Sequence, residues 1–317
     1  MTFINSVESI ISIILMIALG YTLTWKGWFN ENTAKNFTFV VTKIALPAYM
    51  IWNLTSTFDK EKLLSMKSGL IIPFVSMTAC YLLGYIISKV INITPSRQGI
   101  FRCMFFVSNT IFIGLPVNLA LFGEPSVPYV LLYYMANTSL FWTLGVYAVS
   151  GDDDGERPKV LSFQAIRNFL PPPLIGFFIG VLLVLLEMKL PFFIMDTCKY
   201  LGNLTTPLSM LFIGISMYGV GLEDIKISSD MVGVILGRFV ISPLIVFLIA
   251  ALLPIPVLMK KVFIIQSAMP VVTQAAVIAK AYNSDYRYAA IMTTVTTILA
   301  MIMIPLYMVI FDHLAGV

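Results

Sequence analysis

The chain has 317 residues, 59% of them hydrophobic and only 11% charged, and its mean hydropathy is +0.91. That balance excludes an ordinary soluble domain and marks a polytopic membrane protein. The formal charge of +4 comes from basic residues scattered over short loops, so no nucleic-acid partner is implied.

A helix needs about 20 apolar residues to cross the hydrocarbon of a bilayer. Ten segments meet that length, roughly 6–25, 36–56, 69–92, 99–122, 127–149, 165–187, 196–219, 230–253, 261–281 and 287–311. The N-terminus lacks a basic leader and an Ala-x-Ala cleavage site, so the first segment reads as a retained helix. The longest polar connection, Gly151 to Lys159, separates spans five and six. It divides the chain into a first five-helix repeat (1–149), a central loop (150–164) and a second five-helix repeat (165–317).

Orientation follows from Lys and Arg near the span ends. Seven lie on the side of the termini and even loops, and eleven on the side of the odd loops. The expected topology has both termini outside the cell membrane and the Asp-rich central loop in the cytoplasm.

The two halves echo each other at an offset of about 160 residues. Gly20 matches Gly180, Pro47 matches Pro207, and an interruption near Asn109 to Gly114 matches one near Met269 to Gln274. Because five is odd, the second copy must enter the membrane with the opposite orientation. An inverted repeat of this kind places a site near the midplane and permits alternating access.

Span four carries Ser108-Asn109-Thr110 and then Gly114-Leu115-Pro116, and span nine carries Ala268-Met269-Pro270 and then Thr273-Gln274. Proline removes a backbone donor and glycine loosens the helix, so both spans are expected to be broken. Unwound backbone is tolerated at membrane depth only where protein or a water-filled cavity satisfies it. A half-helix beginning there presents unpaired N–H groups and a partial positive charge, which suits an anion. Pro116 fits the first turn of such a half-helix, and Pro270 is expected to do the same. Asn109, Thr110, Asn118, Thr273 and Gln274 supply side-chain donors beside the breaks. The candidate substrate-binding set is therefore Asn109, Thr110, Gly114, Pro116, Asn118, Pro270, Thr273 and Gln274, and the partner it suits is a small carboxylate.

Lys43 and Arg238 lie within spans near the cytoplasmic side, where a charge suggests a role in attracting anions; snorkelling is the alternative. Glu8, Glu187, Asp196, Asp230 and Asp285 all sit at span ends, so no mid-membrane acid pair is available for ion coupling. Gly176-x-x-x-Gly180 is a small-residue packing face that serves either a homodimer or internal packing. Cys80, Cys103 and Cys198 form no CxxC pair and His313 is near the C-terminus, so neither a metal nor a cofactor is expected.

These motifs together resemble the auxin efflux carrier family in its short bacterial form, of the malate/malonate permease type. The run Ser108 to Pro116 followed by Leu121-Phe122-Gly123 is similar to the family's fourth span. Arg238-Phe239 to Ser242-Pro243 resembles span eight, and Ala268-Met269-Pro270 with Ala279-Lys280-Ala281-Tyr282-Asn283 resembles span nine. Gly20-Tyr21, Lys26-Gly27-Trp28 and Ala45-Leu46-Pro47 are similar to spans one and two. The resemblance implies ten transmembrane helices in two inverted five-helix repeats, a scaffold domain and a transport domain, with helices 4 and 9 crossing at their breaks. It carries the family's crossover asparagine to Asn109 and the break to Gly114 and Pro116. Gln274 and Ala275 depart from the family pattern in span nine, and the short central loop differs from that of plant carriers.

The function expected is secondary transport of a small organic carboxylate, with malate first and malonate or another dicarboxylate next; the alternative is an anion channel or a membrane sensor without transport. No HExxH, GxSxG or Walker A motif is present, so neither an enzyme nor an ATP-driven pump is expected.

Overall fold

The computed structural model describes residues 3–151, 171–219 and 227–313. The central polar loop, with the first residues of the sixth predicted span, lies outside the described residues. All named elements are helical, and among the described residues the one β-type pairing is an isolated antiparallel bridge between Ser108 and Val271.

The helices in chain order are α1 (Phe3–Trp25), α2 (Glu31–Val40), α3 (Leu46–Thr57), α4 (Lys60–Ser65), α5 (Ile71–Val90), α6 (Pro95–Phe106), α7 (Gly114–Phe122), α8 (Val127–Leu140) and α9 (Val146–Val149). They continue with α10 (Pro172–Leu185), α11 (Phe192–Asn203), α12 (Thr205–Tyr218), α13 (Ser229–Leu236), α14 (Ser242–Ala251), α15 (Val257–Ser267), α16 (Gln274–Ala281) and α17 (Tyr286–His313). Wide π-helical turns at Val41–Ala45, Phe141–Gly145 and Gly237–Ile241 join α2 to α3, α8 to α9 and α13 to α14. Continuous helix over Glu31–Thr57, Ile71–Val90, Ser229–Ala251 and Tyr286–Phe311 is long and apolar enough to cross a membrane. Exposed apolar residues recur at helical spacing, as in Ile11, Leu15 and Leu19 or Val240, Leu244 and Leu248. Such stripes would be costly in water and suit a lipid surface, so this is a membrane protein.

Local chemistry sets many of the boundaries. Asn30 caps α2 in a reciprocal box with Thr33, and Asp59 Oδ1 caps α4 by accepting from the Lys62 N–H at 2.8 Å. Pro95 and Pro172 sit in first turns, where a missing N–H breaks no intrahelical bond, whereas Pro47 and Pro243 lie inside continuous helix just after π-helical turns.

The chain divides into two compact units, and each draws on both halves of the sequence. Unit 1 comprises Met1–Ser68, Ile111–Leu131 and Leu170–Gly219; unit 2 comprises Gly69–Thr110, Leu132–Phe169 and Val220–Val317.

In unit 1, α1 packs on α12, while α10 and α11 pack on α3. The approach is close enough to require glycine. A Cβ on Gly20 would stand 2.9 Å from Leu211 Cα, and one on Gly176 would stand 2.6 Å from the Cα and carbonyl oxygen of Pro47. A Cβ on Gly180 would meet Leu54 Cδ1 at 2.8 Å and the Met50 carbonyl at 3.2 Å. The small face of α10 is thus occupied within the chain.

In unit 2, α5 packs on α6 and α14, α14 on α15, and α16 on α17. At one end of this unit Arg97 joins two span-end acids, Asp285 at 2.7 Å and Asp230 at 3.2 Å. Burial works against the Arg97 charge, but the hydrogen bonds and charges of Asp285 and Asp230 outweigh it and raise its pKa.

Candidate functional site: two interrupted helices that meet

Within unit 2, α6 ends at Phe106 and Val107 turns to extended backbone, with φ −94° and ψ 128°. Helix does not resume until Gly114. The partner interruption follows α15, which ends at Ser267, and helix resumes at Gln274. Both breaks fall where proline and glycine were expected to place them.

Several of the freed backbone groups are satisfied locally, as a dry interior demands. The Asn109 N–H donates to the Pro270 carbonyl at 2.8 Å beside the Ser108–Val271 bridge. On its other side Ser108 is clamped by the side chain of Asn137 from α8. The Ser108 N–H donates to Asn137 Oδ1 at 3.0 Å, and Asn137 Nδ2 donates to the Ser108 carbonyl at 2.9 Å. One side-chain amide thus imitates a neighbouring strand. The Val271 N–H donates to Thr296 Oγ1 from α17 at 3.1 Å. Gln266 Nε2 donates to the Thr110 carbonyl at 3.2 Å, and Gln266 Oε1 is buried without a hydrogen-bond partner.

Arg238, on the π-helical turn between α13 and α14, is completely buried. Its Nε donates to the Met269 carbonyl at 3.1 Å, its Nη1 to the Phe105 carbonyl at 3.3 Å and its Nη2 to the Ser267 carbonyl. These are last-turn or just-terminal carbonyls of α6 and α15, where the helix dipole is negative. One planar cation therefore serves both interrupted helices, a task that suits the guanidinium fork.

The structure brings Asn109, Thr110 and Pro270 together at the crossing, all buried. Thr273, half-buried, is the residue that precedes α16, and Gln274, exposed, is its first residue. Pro270 differs from expectation. It lies in the extended segment, four residues before α16, and contributes a carbonyl acceptor rather than opening the helix. Gly114, Pro116 and Asn118 belong to unit 1, on α7. Pro116 does lie in the first turn of that helix, and Asn118 Nδ2 donates to the Gly114 carbonyl at 2.7 Å. Lys43 is exposed on unit 1.

Asn137, Gln266 and Thr296 belong to the crossing but were not among the sequence candidates. Asn137 carried a usable signal: it is a lone amide within a long apolar segment, where an unsatisfied polar group is expensive.

A family model described as membrane transport protein matches residues 5–308. This chain belongs to the auxin efflux carrier family of membrane transport proteins. It is similar to an uncharacterized transporter of Methanocaldococcus jannaschii, 25% identical over 304 residues that cover 95% of this chain and 97% of that one. It is also similar to an uncharacterized transporter of Methanothermobacter thermautotrophicus, 26% identical over 318 residues that cover 98% and 100% of the two chains. Auxin efflux carriers are membrane transporters rather than enzymes.

Proposed function

We propose that this protein is a secondary carrier for a small organic carboxylate, malate first and malonate or another dicarboxylate next, working by alternating access at the crossing of spans four and nine. The observation that carries the reading is the crossing in unit 2, where Arg238 takes up helix-end carbonyls and leaves donors as the groups to offer a solute. Those donors are the Asn109 and Thr110 side chains and the first turn of α16, with Thr273 and Gln274. Neutral donors and a helix N-terminus suit a carboxylate, because they stabilise the anion without a mobile countercharge.

In this reading the ten spans form two inverted five-helix repeats. Reciprocal packing in unit 1 supports the repeat. Gly20 of α1 lies against Leu211 of α12, and Gly180 of α10 lies against Met50 and Leu54 of α3. The offset of about 160 residues carries the first pair onto the second, with partners exchanged as a two-fold relation requires. The same offset carries the first segment of each unit onto its last. The termini then face outside the cell membrane.

Counterflow of labelled malate in proteoliposomes tests the function. Saturable exchange that other carboxylates compete away supports a carrier. Unitary currents without counterflow would assign a channel instead, and neither activity with any mono- or dicarboxylate would overturn the proposal.

A further inference from the structure

Unit 1 contains a cavity of about 300 Å³, lined among others by Tyr49, Glu124, Gly202, Asn203, Thr205 and Thr206. Glu124 lies in the turn after α7, and its carboxylate is half-buried. Asn53 Nδ2 donates to its Oε2 at 2.6 Å, and the Tyr49 hydroxyl donates to the same oxygen. Both donors are neutral. Among the described residues Glu124 has no ion pair and the cavity wall has no Lys or Arg. Lys199, one turn before Asn203, has its ammonium 5.5 Å from the Trp52 ring centre instead.

A carboxylate partly withdrawn from water is stabilised by a countercharge, since hydrogen bonds from neutral donors replace only part of the hydration it loses. Other atoms nearby in the unit point to what supplies it. Thr205 is 2% exposed and lines this cavity, yet its Oγ1 has no hydrogen-bond partner. Asn53 Oδ1, on the amide that holds Glu124, is fully buried and also without one. So is Ser209 Oγ, one turn beyond Thr205 on α12. Buried polar atoms left unsatisfied call for an explanation, and here the unsatisfied atoms are oxygens.

We infer that the Glu124 cavity is a binding site for an alkali-metal cation, with the Glu124 carboxylate and Thr205 Oγ1 as its principal ligands and Asn53 as the amide that orients the carboxylate. Hard cations take oxygen ligands, and a single carboxylate among neutral oxygens balances a charge of one. A divalent ion would need more anionic ligands, and no cluster of three acidic, His or Cys side chains occurs among the described residues. The inference does not rest on the carboxylate reading of the crossing, because its test contains no organic solute.

Detergent-purified full-length protein is melted in NaCl, KCl or LiCl, each compared with choline chloride at equal ionic strength. A ligand of the folded form raises its apparent stability, so at least one alkali chloride should raise the midpoint by about 2 °C or more. The rise should vanish in Glu124→Gln and shrink in Thr205→Val, a near-isosteric change that removes only the hydroxyl. If Glu124→Gln does not fold, Thr205→Val carries the test. Identical curves in all four salts would overturn the inference, as would a full alkali response in Thr205→Val.

Discussion

Removing the Asn137 amide should loosen the crossing by a predictable amount. Asn137→Leu keeps the approximate size of the side chain but deletes both hydrogen bonds to the Ser108 backbone, at 3.0 and 2.9 Å. Asn137 is 4% exposed and Ser108 is completely buried, so water does not easily replace the lost partners. An orphaned buried donor or acceptor costs about 1–3 kcal/mol, so the pair should cost about 4 kcal/mol. For a chain of this size that corresponds to a fall of about 8 °C in the melting midpoint of detergent-purified protein. Asn137→Asp should be no better, because it keeps the acceptor for the Ser108 N–H but sets an oxygen against the Ser108 carbonyl. Hydrogen exchange offers a local readout, with the Ser108 amide exchanging much faster in Asn137→Leu. A midpoint within about 2 °C of wild type, with Ser108 still protected, would refute the reasoning.

The remaining predictions concern other parts of the molecule. Arg238→Lys keeps the charge but loses the planar fork, and should destabilise the protein by about 3 kcal/mol in the same melting assay, because one ammonium cannot satisfy carbonyls on two segments. Gly176→Ala should be more damaging than Gly180→Ala, since the new methyl meets Pro47 backbone at 2.6 Å in the first case and chiefly the movable Leu54 side chain in the second. Folded yield after size-exclusion chromatography ranks the two. Arg97→Ala should cost only about 1 kcal/mol, less in high salt, because the network is partly exposed; melting curves in low and high salt check this. Asn109→Ala and Gln274→Ala should each abolish carboxylate uptake while leaving expression intact, and uptake assays beside immunoblots decide it.

The interrupted helices were legible because proline and glycine act locally. Pro116 and Gly114 disturb a long apolar run whatever surrounds them, and the same holds for Pro270. What those residues do after the break depends on tertiary partners, and there the sequence said less. Pro270 was expected to open a half-helix, but the Asn109 N–H captures its carbonyl and the helix restarts only at Gln274. Arg238 was legible as a charge within a span, read as attracting anions or snorkelling, but its burial and its three carbonyl partners were not, because backbone carbonyls carry no residue signature. Asn137 and Thr296 escaped for a related reason. Each serves a backbone group on a segment far away in sequence, and spacing along the chain cannot reveal such a partner. The interleaved make-up of the two units was hidden likewise, because long-range packing rather than linker composition decides it.

Asn137 and Thr296 hold main chain, and main chain is the same whatever cargo is moved. Carriers of this kind could therefore exchange one solute for another while both positions stay fixed, and drift there should accompany collapse rather than a change of diet. Comparing relatives with differing appetites would separate such masonry from the groups that choose the guest.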